Sequence, residues 1–268
     1  MSNATAVEAR ATNTVTDDAF LGGALQILQP KAGYRAGLDA VLLAAAVTAG
    51  DGDRVLDVGA GVGVAGLALA RRLPNVTVTL VERDCGLATL AAGNIERNGL
   101  GERVRVIEAD VVRSLGDLGE LGAAAATFDH VLANPPYHVE GRGTAAGDPV
   151  KAAANAMPAG HLDRWVRFMS AMTRPGGTAT LIHRADALHE ILQALAGRFG
   201  GAIVLPIHPR EADPASRVLV QAVKGSRAAL ELRRGLILHN ADHGFRPDVE
   251  AILRHGAALT LGTAPAGP

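Results

Sequence analysis

Short apolar runs alternate with longer Ala/Leu-rich stretches through the first half of the chain. Arg54–Gly59 (RVLDVG), Val76–Glu82 (VTVTLVE), Arg103–Glu108 and Phe128–Ala133 are brief and rich in β-branched residues, the pattern of buried strands. Between them, Val64–Leu73 and Asp84–Asn98 read as helices. This βαβαβ(α)β alternation predicts an α/β fold, a doubly wound and mostly parallel sheet. The crossover after Asp110 is irregular, with a short helix expected over Leu115–Leu121. Further along, His161–Thr173 reads as a helix, Thr178–His183 as a strand, Ala185–Arg198 as a helix, and Gly201–Ile207 and Arg217–Lys224 as strands. That makes seven strands. The last two have no helix between them, which predicts one antiparallel strand at the sheet edge.

The flanks read differently. Residues 1–14 are small and polar, a disordered tail. Ala19–Pro30 reads as a hairpin around Gly22-Gly23, followed by a glycine-punctuated loop, Gly33–Asp39, and an apolar helix from Asp39 to Ala49. Asp39 at that helix start is a candidate cap. Residues 138–160 form a long Gly/Pro-punctuated loop, of the kind that is usually functional or disordered. Leu230–His239 reads as a further strand and Pro247–His255 as a short helix. The organisation expected is a single domain: tail 1–14, hairpin and helix 15–50, core 51–226 and appendage 227–268.

Composition narrows the function classes. With 26 basic and 27 acidic residues, the formal charge of −1 makes no global electrostatic case for nucleic acid, so RNA binding needs a local patch. One cysteine, Cys85, excludes an internal disulfide framework and fits a reducing compartment. Met1–Arg10 holds no apolar signal core, and the longest apolar stretch, Ala40–Ala49, is too short to span a bilayer. A cytoplasmic location and no membrane partner are expected. Nothing in the pattern sets the oligomeric state.

Two stretches carry chemistry. Gly59-Ala60-Gly61-Val62-Gly63 joins a strand to a helix, where glycines allow a tight turn and close approach of a ligand. Gly61–Gly66 also satisfies GxGxxG, with Glu82 about 20 residues on, so a nicotinamide or flavin enzyme is permitted. Asp57 inside the strand and a third acid, Asp110, ending the third strand favour a nucleoside without phosphate instead. The second stretch is Asn134-Pro135-Pro136-Tyr137. Two prolines end the ladder and leave an amide side chain, the Pro135 carbonyl and an aromatic ring at a strand's carboxyl end, the edge where such sheets bind ligands. Acceptors beside a flat ring suit a planar ligand with an exocyclic amine.

Asp57-Val58-Gly59-Ala60-Gly61-Val62-Gly63, Glu82, Asp110 and Asn134–Tyr137 together resemble the class I S-adenosylmethionine-dependent methyltransferases of the amino-methylating kind, over roughly Ala19 to Lys224. Within that class, Gly33–Asp39 followed by LLAA, the hairpin and Ala215–Val220 are similar to the valine-tRNA adenine-N6 methyltransferases. The resemblance implies S-adenosylmethionine as cofactor, with Gly59, Gly61 and Gly63 along its methionine part, Glu82 on the ribose and Asp110 on the adenine. Arg35, Gly37 and Asp39 would lie near its carboxylate and amino end. Asn134, Pro135 and Tyr137 would be catalytic, acting on N6 of adenine in RNA, with tRNA favoured.

The same turn also serves release-factor glutamine and guanine-N2 of ribosomal RNA, and a dinucleotide oxidoreductase or a non-catalytic RNA-binding module of this fold are more distant readings. The spacing of His239 and His243 is compatible with a metal, but the intervening residues read as a turn and no third ligand follows, so no metal is expected. Cys85 lacks a paired base. Arg142, Lys151, Arg164, Arg167 and Arg174 are placed around the active face, where phosphate contact competes with an ordinary solvated surface.

Overall fold

A computed structural model describes residues 14–33, 35–111, 126–137 and 161–261. The tail, the Leu115–Leu121 helix and the 138–160 loop with Arg142 and Lys151 lie outside the described residues, apart from Thr14.

An antiparallel hairpin, β1 (Val15–Phe20) and β2 (Leu25–Pro30), precedes α1 (Leu38–Ala46). Then β3 (Arg54–Val58), α2 (Val64–Arg72), β4 (Thr77–Glu82), α3 (Cys85–Arg97), β5 (Val104–Glu108) and β6 (Phe128–Ala133) follow. After the undescribed segment come α4 (His161–Met172), β7 (Thr173–Arg184), α5 (Leu188–Leu195), β8 (Phe199–His208) and β9 (Arg217–Lys224). The seven long strands expected are present, in the order β8-β9-β7-β6-β3-β4-β5. Strands β3 to β7 run parallel, and β9 is antiparallel to both its neighbours.

The antiparallel strand is not at the edge. It inserts between β7 and β8, and its own residues say why: Val218, Leu219, Val220 and Ala222 are all buried. A strand apolar on both faces belongs inside a sheet. The outer edge is β8, and the appendage covers it. Leu230–His239 is not one strand but two short ones, β10 (Glu231–Leu232) and β11 (Leu236–Ile237), each parallel to β8, which brings the sheet to nine strands. Between them a Cβ on Gly235 would lie 2.5 Å from the His208 ring, so the chain passes there only as glycine. Helix α6 (Pro247–His255) then packs on α1 and on the hairpin tip.

The two sheet faces bury separate cores. One gathers α1, α2, α3, the hairpin and α6, and the other is filled from α4 and α5 by Trp165, Phe168, Met169, Met172, Ile191 and Leu195. The hairpin is held by two asparagines four apart on α3. Asn94 Oδ1 accepts from Leu28 N at 2.8 Å and Asn98 Oδ1 from Gln26 N at 3.0 Å, while their amide groups donate to the carbonyls of the same two residues. Side chains thus stand in for a partner strand along one edge of β2. No helix among the described residues is long and apolar enough to cross a membrane.

At the amino edge, His130 joins three chain segments. Its Nε2 donates to Asp53 Oδ2 at 3.1 Å, which leaves Nδ1 to accept from Thr178 Oγ1 at 2.8 Å. His130→Ala removes both bonds, leaving Asp53 Oδ2 with the Gly50 N–H alone and Thr178 Oγ1 without the ring, so it is expected to cost about 1–3 kcal/mol. A urea midpoint equal to wild type would refute that role.

Candidate active site

The register brings the two chemical stretches together. Val58 pairs with Val81 on one side and Ala133 on the other, so β3, β4 and β6 end level and release Gly59, Glu82 and Asn134 side by side. The strand order turns at β3, the switch point where such sheets open a crevice.

Gly59, Gly61 and Gly63 all have positive φ, at 65°, 58° and 92°. That backbone strongly favours glycine. Crowding adds to it at two positions: a Cβ on Gly59 would meet Trp165 Cη2 at 2.2 Å, and one on Gly66 would meet Leu80 Cδ2 at 2.3 Å. Part of the glycine pattern is therefore imposed by the protein's own packing. Two buried carboxylates grip the turn. Asp57 Oδ2 accepts from Gly66 N at 2.8 Å, and Glu82 Oε2 from Gly61 N at 2.8 Å. Glu82 Oε1 also accepts from Arg83 N at 2.8 Å and Asp84 N at 2.9 Å. Three of the roughly four lone-pair sites of Glu82 are engaged with backbone, which leaves one acceptor toward the crevice rim. Asp110 stands two residues past Glu108, the β5 partner of Glu82, and shares that rim.

Asn134 follows β6 with its Oδ1 buried and without a hydrogen-bond partner among the described residues. An unsatisfied buried acceptor costs about 1–3 kcal/mol, a cost that a bound donor would relieve. Tyr137 lies beside it. Its hydroxyl donates to Asp39 Oδ2 at 2.7 Å, Arg217 Nε donates to the same oxygen at 3.0 Å, and the Arg217 guanidinium lies 5.1 Å from the ring centroid. His183, at the end of β7, meets the ring edge-on with centroids 5.0 Å apart. A buried acceptor, a held aromatic ring and a glycine turn between two acids thus lie together at the carboxyl edge of the sheet.

A model of the methyltransferase small domain matches residues 36–162. A tRNA1(Val) (adenine(37)-N6)-methyltransferase from Dickeya chrysanthemi is 26% identical over 235 residues, covering 85% of this chain and 89% of that protein. A release factor glutamine methyltransferase from Chlorobaculum tepidum is 28% identical over 171 residues, covering 61% of this chain and 56% of that protein. The crystal structure of a predicted O-methyltransferase from Agrobacterium tumefaciens has a TM-score of 0.69 at 36% identity, covering 83% of this chain and 98% of that one. The chain belongs to the methyltransferase family. Its cofactor is S-adenosylmethionine, and its sheet is that of the class I enzymes.

Several residues of the methyltransferase sit differently from the sequence reading. Asp39 does not cap α1; Gly37 holds that position with extended backbone, and the Asp39 carboxylate turns to Tyr137 and Arg217. Arg35 faces the hairpin, bonding Asp18 Oδ2 at 2.8 Å, Thr16 Oγ1 at 2.7 Å and the Pro30 carbonyl at 2.7 Å. Arg174 is at the amino end of β7 with Asp129, the edge opposite the site. His239 stacks on Phe245 and His243 faces Arg210, as a turn would have it, and no metal-suited group of three or more His, Cys, Asp or Glu occurs among the described residues. Cys85 is exposed at the start of α3, whose cap is Asp84. Arg217 and His183 carried no local signal of a site role, because what they touch is far away in sequence.

Burial pushes the Asp57 carboxyl up to about 7, against the Gly66 N–H and with Glu82 adding to the rise. Burial pushes the His183 imidazole down to about 4. Their linkages oppose each other. Below about pH 7 the folded state keeps a proton on Asp57 that the unfolded chain releases, so acidification toward 3.8 favours folding. Below 6.5 the unfolded chain binds a proton that folded His183 refuses until about 4, so acidification there disfavours folding. Asp57→Asn removes the first slope alone. Its urea midpoint is expected to fall more steeply than wild type as pH drops from 6 to 4.5 (roughly one proton's worth of slope); parallel profiles would contradict the assignment.

Proposed function

We propose that this methyltransferase modifies the exocyclic N6 amine of an adenine in RNA, with tRNA the favoured substrate. The observation that carries the reading is the buried, partnerless Asn134 Oδ1 at the head of the Pro-Pro-Tyr turn. A carbonyl oxygen is a pure acceptor, and it matches a group that brings N–H donors. The Pro135 carbonyl is a second acceptor one residue on.

The adenine amine is a poor nucleophile because its lone pair is delocalised into the ring. Accepting its two N–H bonds at Asn134 Oδ1 and the Pro135 carbonyl favours a pyramidal nitrogen whose lone pair is free to attack. Tyr137 stacks the base so that this nitrogen is held in place. S-adenosylmethionine, when bound, supplies an electrophilic methyl group on a sulfonium. The residues suited to hold it are Gly59, Gly61 and Gly63 along the turn, with Asp57 fixing that turn through Gly66, and Glu82 and Asp110 on the rim. Gly37 and Asp39 are assigned to its amino-acid end, and Arg35 to the same end by way of the loop it anchors. The chain's contribution is positioning and fixed dipoles rather than strong acid–base chemistry.

Adenine is favoured over a glutamine amide by the extent of the two likenesses. The adenine-modifying relative is matched over 89% of its length, and the glutamine-modifying one over 56%. The chain is proposed to work as a single domain, with the 227–268 appendage as part of it.

Asn134→Ala should lower kcat by roughly 100- to 1,000-fold, as for loss of one preorganised dipole, and leave S-adenosylmethionine affinity by calorimetry near wild type. Retained turnover would remove Asn134 from the chemistry. Nucleoside mass spectrometry of RNA from cells lacking the gene should show N6-methyladenosine lost from tRNA. An unchanged level in every tRNA and rRNA would exclude this acceptor.

A further inference from the structure

Tyr137 is held on three sides by side chains from three other elements. Its hydroxyl is anchored on Asp39 of α1, and Arg217 at the start of β9 bonds the same carboxylate oxygen. The Arg217 guanidinium covers one face of the ring, 5.1 Å from the centroid. His183 at the end of β7 abuts the ring at an interplanar angle of 63°. Asp39 is 98 residues from Tyr137 and 178 from Arg217, so this arrangement exists only once α1, β6 and β9 have assembled.

We propose that Arg217 and Asp39 are positioning residues that clamp Tyr137 for stacking on a flat acceptor base, the guanidinium lying over the ring and the carboxylate anchoring the hydroxyl. The inference rests on the reading of that acceptor as a planar base. An unclamped tyrosine turns about two side-chain bonds, and each binding event would have to immobilise it. Anchoring the hydroxyl and covering one face moves that ordering into folding. The ring also gains orientation from the cation over its face. Asn134 and Pro135 are fixed by the end of β6 and do not depend on the clamp. Loss of the clamp therefore weakens capture of the acceptor more than the transfer step.

The chain has two tyrosines, Tyr34 and Tyr137, so 3-fluorotyrosine labelling gives two fluorine resonances and Tyr34→Phe assigns them. Arg217→Ala is expected to shift and narrow the Tyr137 signal without any ligand present. In turnover at saturating S-adenosylmethionine it should raise KM for the acceptor RNA roughly five- to twentyfold, with kcat held within about twofold. Arg217→Lys, which keeps a cation near the ring, should recover part of the loss. Tyr137→Phe combined with Arg217→Ala should fall short of additivity, because both release the same ring. If Arg217→Ala does not fold, Arg217→Gln carries the same measurements. A Tyr137 resonance that stays in place, or a loss confined to kcat, overturns the clamp. The resonance is read without substrate, so absence of RNA methylation by the wild type would sink the acceptor assignment while leaving the clamp to its own result.

Discussion

A carboxylate removed from water costs several kcal/mol unless donors meet it. The chain buries two of them, Asp57 and Glu82, on either side of one turn, and the donors are N–H groups of that turn and of the helix it opens, Gly61 and Gly66. Satisfying the acids and shaping the loop are thus one event. Asp57 belongs to β3 and Glu82 to β4, so the path of the turn is pinned to two neighbouring strands rather than to one. The glycines make this possible twice over. Positive φ at Gly61 goes with its N–H meeting Glu82, while the Gly66 N–H reaches Asp57 from the first turn of the helix, and the missing side chains admit Trp165 from one face of the sheet at Gly59 and Leu80 from within it at Gly66.

From that pinned turn the rest of the site follows by register. Because Val58 is level with both Val81 and Ala133, the glycine turn, Glu82 and Asn134 must emerge as neighbours. The two prolines after Asn134 then stop the ladder, so the chain turns away and Tyr137 comes to lie against the end of β7, where His183 stands. The glycine turn and the Asn-Pro-Pro-Tyr turn are adjacent because β3 and β6 are adjacent. Methyl transfer requires that adjacency, since donor and acceptor atoms must meet in one crevice.

The strands of the parallel half and their turns were legible because each is a short apolar run closed by residues with one structural meaning: glycine, proline or an acid. What was not legible depends on partners distant in sequence. Asp39 at a helix start reads as a cap, and only the folded chain shows that its carboxylate serves Tyr137 and Arg217 instead. Arg35 sits in the same loop and is drawn off to Asp18 of the hairpin. The place of β9 is signalled by apolar residues on both faces at Val218–Ala222, a cue opposed by the lack of a helix before it, which by itself points to the edge. The appendage gave no period to read, since β10 and β11 are two residues each and exist only by pairing with β8.

Charge completes the argument about selectivity. Several of the arginines near the carboxyl edge are already engaged with acids: Arg35 with Asp18, Arg184 with Asp186, Arg210 with Asp213 and Arg217 with Asp39. Over the whole chain the balance is −1. A protein so neutral has little net long-range field with which to draw in a polyanion. Discrimination among acceptors is then left to short-range features that act once the acceptor is seated. The chief one is the buried Asn134 carbonyl, which calls for an N–H donor. It rejects a wrong group by staying unmatched, which separates substrates more sharply than apolar fit does.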